Sequence, residues 1–140
     1  MKGFEFIEHT ADVGIRAYGD TYKALFENAG RGVMRLIGAT AGEVDRKRMV
    51  RLNAGSLEEL LVNWLNELIE LVFADHFLPI QFSADIDASG GDKILNARIS
   101  GCYFDPDTDK IEVEVKAATY HNVKIQHSTK GYMVEVIIDV

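Results

Sequence analysis

The residues best suited to chemistry lie near the two ends of the chain. His9-Thr10-Ala11-Asp12-Val13-Gly14 falls between two short alternating stretches, and Ile137-Ile138-Asp139-Val140 closes an apolar pattern on a carboxylate. Taken singly, the first is a turn in which Thr10 or Asp12 bonds nearby backbone amides, and the second is a frayed end. Taken jointly, they offer hard oxygens: the carboxylates of Asp12 and Asp139 and the terminal carboxylate of Val140. Donors of that kind suit Ca2+, Mg2+ or Mn2+. Spacing alone does not bring Asp12 to Asp139; only a fold that sets the first turn against the last strand would do so.

A second cluster, Lys116, Thr119, Tyr120 and His121, ends another strand-like stretch. Lys and His there could touch a phosphate or act as acid and base, or simply form a solvated strand end. His9 fits a calcium-type shell poorly and reads better as a hydrogen-bonding residue of its turn. Asp105, Asp107 and Asp109 imitate the first ligands of an EF-hand, but Lys110 stands where that loop needs Gly and Lys116 where it needs Glu. The loop is rejected as a calcium site. The lone Cys102 sits among apolar residues and reads as a buried, inert thiol in a reducing interior. His76 and His127 read as surface residues. With no Gly-rich phosphate loop, Cys-x-x-Cys pair or Ser/His/Asp arrangement, a metal-dependent hydrolase built on Asp12, Asp139 and His121 lacks an activated nucleophile.

The elements that must position these groups show in the periodicity. Phe4–Glu8 and Val13–Tyr18 alternate as strands with one buried face. Tyr22, Leu25, Phe26, Ala29, Val33, Leu36 and Ile37 recur at helical spacing, predicting a helix over 21–37 that stops near Gly38. Ser56-Leu57-Glu58-Glu59 has the form of a capping box and opens a second helix, expected to run from Leu57 to Phe77 with Pro79 forbidding continuation. Its Glu59, Asn63, Glu67 and Glu70 stripe is a candidate partner face. Residues 43–52 read as a less apolar edge strand carrying Arg46, Lys47, Arg48 and Arg51 on alternate faces, which favours a solvated edge over an RNA patch. The remainder reads as strands over 80–87, 93–104, 110–119, 123–126 and 133–139. This order predicts an α+β fold of one domain, with two helices packed on a mainly antiparallel sheet.

Bulk properties narrow the classes. The 140 residues are 47% hydrophobic and 26% charged, which suits a globular domain and not a disordered tail. The start lacks a secretory h-region and no stretch is apolar enough to span a membrane, so the cytoplasm is expected. The net charge of −7 argues against direct nucleic-acid binding. No Lys or Arg occurs between Arg51 and Lys93, where acidic residues gather; such a run is a solvated face or a surface that steers a basic partner.

Longer stretches carry a resemblance. Residues Phe4 to Ile15, with the His9-Thr10-Ala11-Asp12 turn, the helix Leu60-Leu61-Val62-Asn63-Trp64-Leu65-Asn66-Glu67-Leu68, the segment Lys116-Ala117-Ala118-Thr119-Tyr120-His121, and the closing Asp139-Val140 resemble the archease family across essentially the whole chain. The resemblance implies a strand-helix-strand-strand type module and an accessory protein, not an enzyme. It implies a role beside RtcB-type RNA ligases in tRNA splicing, promoting guanylylation of the ligase histidine and multiple turnover. It further implies a divalent metal, assigned as calcium, held by Asp12 and Asp139 with a main-chain oxygen of Val140, and His9, Lys116 and His121 as secondary functional residues. The matching positions show no departure from the family pattern. The runner-up is a chaperone or a general modulator of RNA- or protein-modifying enzymes.

Overall fold

Along the chain run β1 (Phe4–Glu8), β2 (Val13–Gly19), α1 (Tyr22–Ile37), β3 (Arg46–Ala54), α2 (Leu57–Phe73), β4 (Phe77–Asp87), β5 (Lys93–Tyr103), β6 (Ala117–Ala118), β7 (Gln126–Ser128) and β8 (Gly131–Asp139). The computed structural model describes residues 3–8, 12–39 and 42–140. The α+β expectation holds, with two antiparallel sheets in place of one: β1-β2-β8-β6 with β7 also on β8, and β3-β5-β4. No helix among the described residues is long and apolar enough to cross a membrane.

Both helices begin where their side chains satisfy free amides. Thr21 Oγ1 accepts from the Ala24 amide at 3.1 Å, and Ser56 Oγ from the Glu59 amide at 3.1 Å. Gly38 ends α1 in the left-handed region, φ 69°, and its amide donates to Met34 O. The inward stripe of α1, Leu25, Phe26, Ala29, Val33 and Ile37, meets a helix α2 that is buried on most of its circumference. Trp64 is fully buried and donates from Nε1 to Phe26 O at 3.0 Å, so its polar atom is satisfied inside the core.

Several boundaries differ from the periodicity. Helix α2 stops at Phe73, not Phe77: Ala74, Asp75 and a left-handed His76, φ 55°, turn the chain, and His76 O accepts from Phe104 N. Phe77 continues the apolar run as the first residue of a strand. Pro79 is tolerated there because β4 is an edge strand whose register shifts between Pro79 and Gln81. Arg48 fastens the turn, donating to Asp75 Oδ2 at 2.8 Å and Tyr103 OH at 3.0 Å over the Phe77 ring. Of the stretch 110–119, only Ala117–Ala118 is strand. Val115 is buried and Ile111 and Val113 pack on the core, yet the amides of Glu112 and Val113 go to Ile37 O. The alternation there marks burial without a strand partner. Three other strands also shift, with β3 starting at Arg46, β7 at Gln126 and β8 at Gly131. His127, expected to be a plain surface residue, stacks on Tyr132 with ring centroids 4.5 Å apart.

Two stability outcomes follow. A Cβ at Gly101 would strike the Leu78 carbonyl oxygen across the irregular β4–β5 step. Gly101→Ala should therefore lower unfolding free energy by about 3 kcal/mol, the upper end for overpacking because the obstacle is backbone, read by urea denaturation. Burial, then the neighbouring Glu70 and Asp75 carboxylates, push the Glu67 carboxyl above its usual range, against an opposing pull from Arg48. A raised folded pKa means that this group's stabilisation is complete below about pH 4 and is lost as pH rises through the folded value. Glu67→Gln should raise the urea midpoint at neutral pH and leave it unchanged in acid.

Candidate metal centre

The tip is made by the pairing of β2 with β8. Val13 lies opposite Ile138, Ile15 opposite Val136 and Ala17 opposite Val134. Ile15, Ala17, Val134, Val136 and Ile138 are buried, so this set faces the core. Carried one residue beyond Val13, the same register sets Asp12 opposite Asp139. Asp139, an exposed strand residue, belongs to the outward-facing alternation of β8 with Ile137 and Glu135.

That outward face is a short ladder of unlike rungs. The outermost is Asp12 with Asp139. The next is Ile7, Gly14 and Ile137, over which His121 comes to lie; these residues line a pocket of about 220 Å³ with Asn122 and Glu135. Gly14, having no side chain, leaves this rung open. The third is ionic: Arg16 donates to Glu135 Oε1 from Nε at 2.8 Å and to Glu5 Oε1 from Nη1 at 2.7 Å, and Tyr18 OH donates to Glu5 at 3.0 Å. Glu135 foremost, then Tyr18 and Glu5, raise the Arg16 pKa further above its ordinary value.

The other edge of β8 carries β6. Ala117 lies opposite Asp139, the Lys116 amide donates to Asp139 O at 2.9 Å, and the Thr119 amide donates to Ile137 O at 2.9 Å. Asp139 is thus flanked by Asp12 on one side and by residues 116–117 on the other. Its carbonyl is engaged while its carboxylate points outward. Beyond β6 there is no further strand among the described residues; Asn66 of α2 fills that place. Its Oδ1 accepts from the Ala118 amide at 2.7 Å and its Nδ2 donates to Ala118 O at 3.1 Å, as a neighbouring strand would. Tyr120 OH donates to Asn63 Oδ1, and the Ile125 amide donates to Glu58 Oε2 at 3.0 Å. Of the Glu59, Asn63, Glu67 and Glu70 stripe only Asn63 is taken up in holding the segment 118–125, with Glu58 and Asn66 beside it, while Glu59 and Glu70 stay exposed.

Of the residues expected at a site, Asp12, Asp139 and Val140 gather at the tip, Lys116 adjoins it through its backbone, and His121 lies one rung inward, its ring beside Asn122 Nδ2 at 3.2 Å. His9 lies outside the described residues. Among the described residues no three His, Cys, Asp or Glu side chains stand close enough to hold a metal. Two carboxylates with a main-chain oxygen of Val140 are hard donors suited to a calcium-type ion that completes its shell with water. Thr119 has a buried hydroxyl with no partner. Asn66 escaped the sequence reading, since an amide on a polar helix face gives no sign that it will bond a distant backbone.

The chain has close counterparts among known proteins. A model of the archease protein family matches residues 4–140. The Saccharolobus islandicus protein archease is 36% identical over 141 residues, and the Sulfurisphaera tokodaii protein archease 35% over 142, each match covering 100% of both chains. That of Methanosarcina acetivorans is 35% identical over 143 residues, covering 99% of this chain and 97% of its own. The solution structure of a Methanobacterium thermoautotrophicum protein superposes over 100% of both chains with a TM-score of 0.85 at 30% identity. A Thermotoga maritima crystal structure, described as an archease and possible chaperone, shares the fold, with a TM-score of 0.64 at 22% identity over 96% of this chain and 94% of that one.

Asn66→Ala would leave the Ala118 amide and carbonyl without partners at the margin of the tip. The expected cost is about 1–3 kcal/mol, accompanied by faster hydrogen exchange at Ala118 while amides in the middle of α2 keep their protection.

Proposed function

The chain belongs to the archease family, and from that premise we propose that it is a metal-binding accessory protein of an RtcB-type RNA ligase, promoting the ligase's guanylylation and multiple turnover in tRNA splicing. The observation that supports the reading is the β2–β8 register, which ends on Val13 opposite Ile138 and leaves Asp12 and Asp139 as the next residues at its open end. Among the described residues neither carboxylate has an ion-pair partner, whereas the acidic residues further inward, Glu5 and Glu135, are both bound to Arg16.

In this proposal Asp12, Asp139 and a main-chain oxygen of Val140 hold the ion, with calcium the expected occupant and Mg2+ or Mn2+ as alternatives. When bound, such an ion neutralises negative charge on phosphate oxygens, which loading a histidine with GMP requires. The chain's own residues orient the tip. The Lys116 amide fixes the Asp139 backbone, Asn66 fixes Ala118, and His121 stands over the adjoining rung within reach of a group brought to the tip. The chain itself supplies no nucleophile in this scheme, which makes it an activator and not the catalyst.

A chaperone role, the description attached to the Thermotoga protein, calls for contiguous exposed apolar surface. Among the described residues the exposed large apolar side chains are spread over both sheets: Phe6 on β1, Val44 just before β3, Met49 on β3, Tyr103 at the end of β5, Tyr120 beyond β6 and Val140 after β8. That dispersal favours the ligase reading.

The test is RNA ligation by the cognate ligase under single- and multiple-turnover conditions. The wild-type chain should raise ligase guanylylation and permit repeated turnover, and Asp12→Ala or Asp139→Ala should remove that effect while the variants remain folded. Calcium titration by calorimetry should show binding to the wild type and none to Asp139→Ala. Unimpaired stimulation by both variants would sink the proposal.

A further inference from the structure

The net charge of −7 describes the chain as a whole and not its second sheet. On the outward face of β3-β5-β4 the register places Lys47 beside Ser100 and Gln81, and Met49 beside Arg98 and Ser83. Arg51 lies beside Asn96 in the next row, where its Nη1 donates to Asn96 Oδ1 at 3.2 Å. Neither Lys47 nor Arg98 has a hydrogen-bond or ion-pair partner among the described residues, unlike Arg46 and Arg48, which are bound to Asp45 and Asp75. The nearest acids on this face are already engaged: Asp85 with Lys23 at 3.2 Å, and Asp87 with the amide and hydroxyl of Ser89. Gln81, Ser83, Arg98 and Ser100 line a shallow depression of about 240 Å³ with the edge of Phe82.

We propose that this face binds the phosphodiester backbone of a single-stranded nucleic acid. Phosphate contacts draw on Lys and Arg together with Ser, Asn and Gln side chains, and those are the types gathered here. A protein partner would want an apolar or aromatic anchor in a pocket, but the face offers only Met49, which is 74% exposed and sits in no cavity. The three cations occupy two adjacent strands about 5 Å apart and span four residues, about 13 Å, along them. That track suits one backbone, and its one aromatic contact, Phe82, is half-buried and packed edge-to-face with Trp64. The proposal stands apart from the metal tip, which lies on the other sheet.

The experiment is fluorescence anisotropy with a labelled 20-nucleotide oligouridylate and, in a second arm, oligodeoxythymidylate of equal length, over a salt series. Three phosphate contacts predict a log–log salt slope of about −2, hence roughly a twentyfold loss of affinity between 50 and 200 mM salt. Because only backbone is contacted, the two oligonucleotides should bind alike. Lys47→Gln, Arg51→Gln and Arg98→Gln should each flatten the slope by about 0.7, and the triple variant should lose binding, with urea denaturation showing that it is folded. Arg98→Lys should bind as the wild type, and so should Asp139→Ala, which separates this outcome from the fate of the ligase proposal. No binding of either oligonucleotide at 50 mM salt would overturn the inference. So would binding that survives the triple substitution, or polyglutamate binding as tightly as the oligonucleotides.

Discussion

The constraint on which the molecule depends is the register between β2 and β8, strands whose paired residues Arg16 and Glu135 lie 119 positions apart. Two kinds of interaction act on that ladder. On its outer side the Arg16 ion pairs are about one-third exposed at the guanidinium, and pairs of that kind contribute about 0–1 kcal/mol each. On its inner side Ile15, Val136 and Ile138 are almost wholly buried, and side chains of that size contribute about 1.5–3 kcal/mol each on leaving water. The inner side decides. A slip by one residue would expose that apolar set and bury Arg16 and Glu135, so the position of Asp12 relative to Asp139 is set by hydrophobic residues that take no part in chemistry.

A similar division of labour appears in α2. Its apolar residues fill the core between the sheets, while Glu58, Asn63 and Asn66 act as surrogate backbone for a segment that has little secondary structure of its own. The segment from Lys116 to Ile125 is held by side chains more than by ladders, which leaves His121 and Asn122 exposed above Gly14. Charge is partitioned by strand pleat in the same economical way: Arg48 is turned inward to hold the α2–β4 turn, and Lys47 and Arg51, its sequence neighbours, are turned outward.

The sequence was most informative where the signal is local. Thr21, Ser56 and Gly38 mark helix ends because capping is a matter of a few adjacent residues, and the stripe of α1 is legible because one face alone is buried. The end of α2 was misjudged because Phe77 and Leu78 prolong an apolar run that suits a helix or an edge strand equally, and Pro79 is allowed in the second. Residues 111–115 alternate like a strand without pairing like one. Asp12 and Asp139 could be associated only through family resemblance, since no local pattern encodes a register across the whole chain. The cations of β3 read as a solvated edge because they fall on alternate faces, and Lys47 and Arg51 gain Arg98 as a neighbour only when β3 pairs with β5.

The separation of β2 from β8 also bears on how the molecule comes into being. Most strand pairings here join segments near one another in sequence, such as β1 with β2 or β4 with β5, but the ladder at the tip closes a loop that takes in nearly everything between. Contacts of such range are slow to form, because the entropy of closure is lost before burial compensates for it. The acidic tip is therefore a late product of folding, absent from a nascent chain or any intermediate in which the final strand has not docked. Its presence certifies a finished molecule.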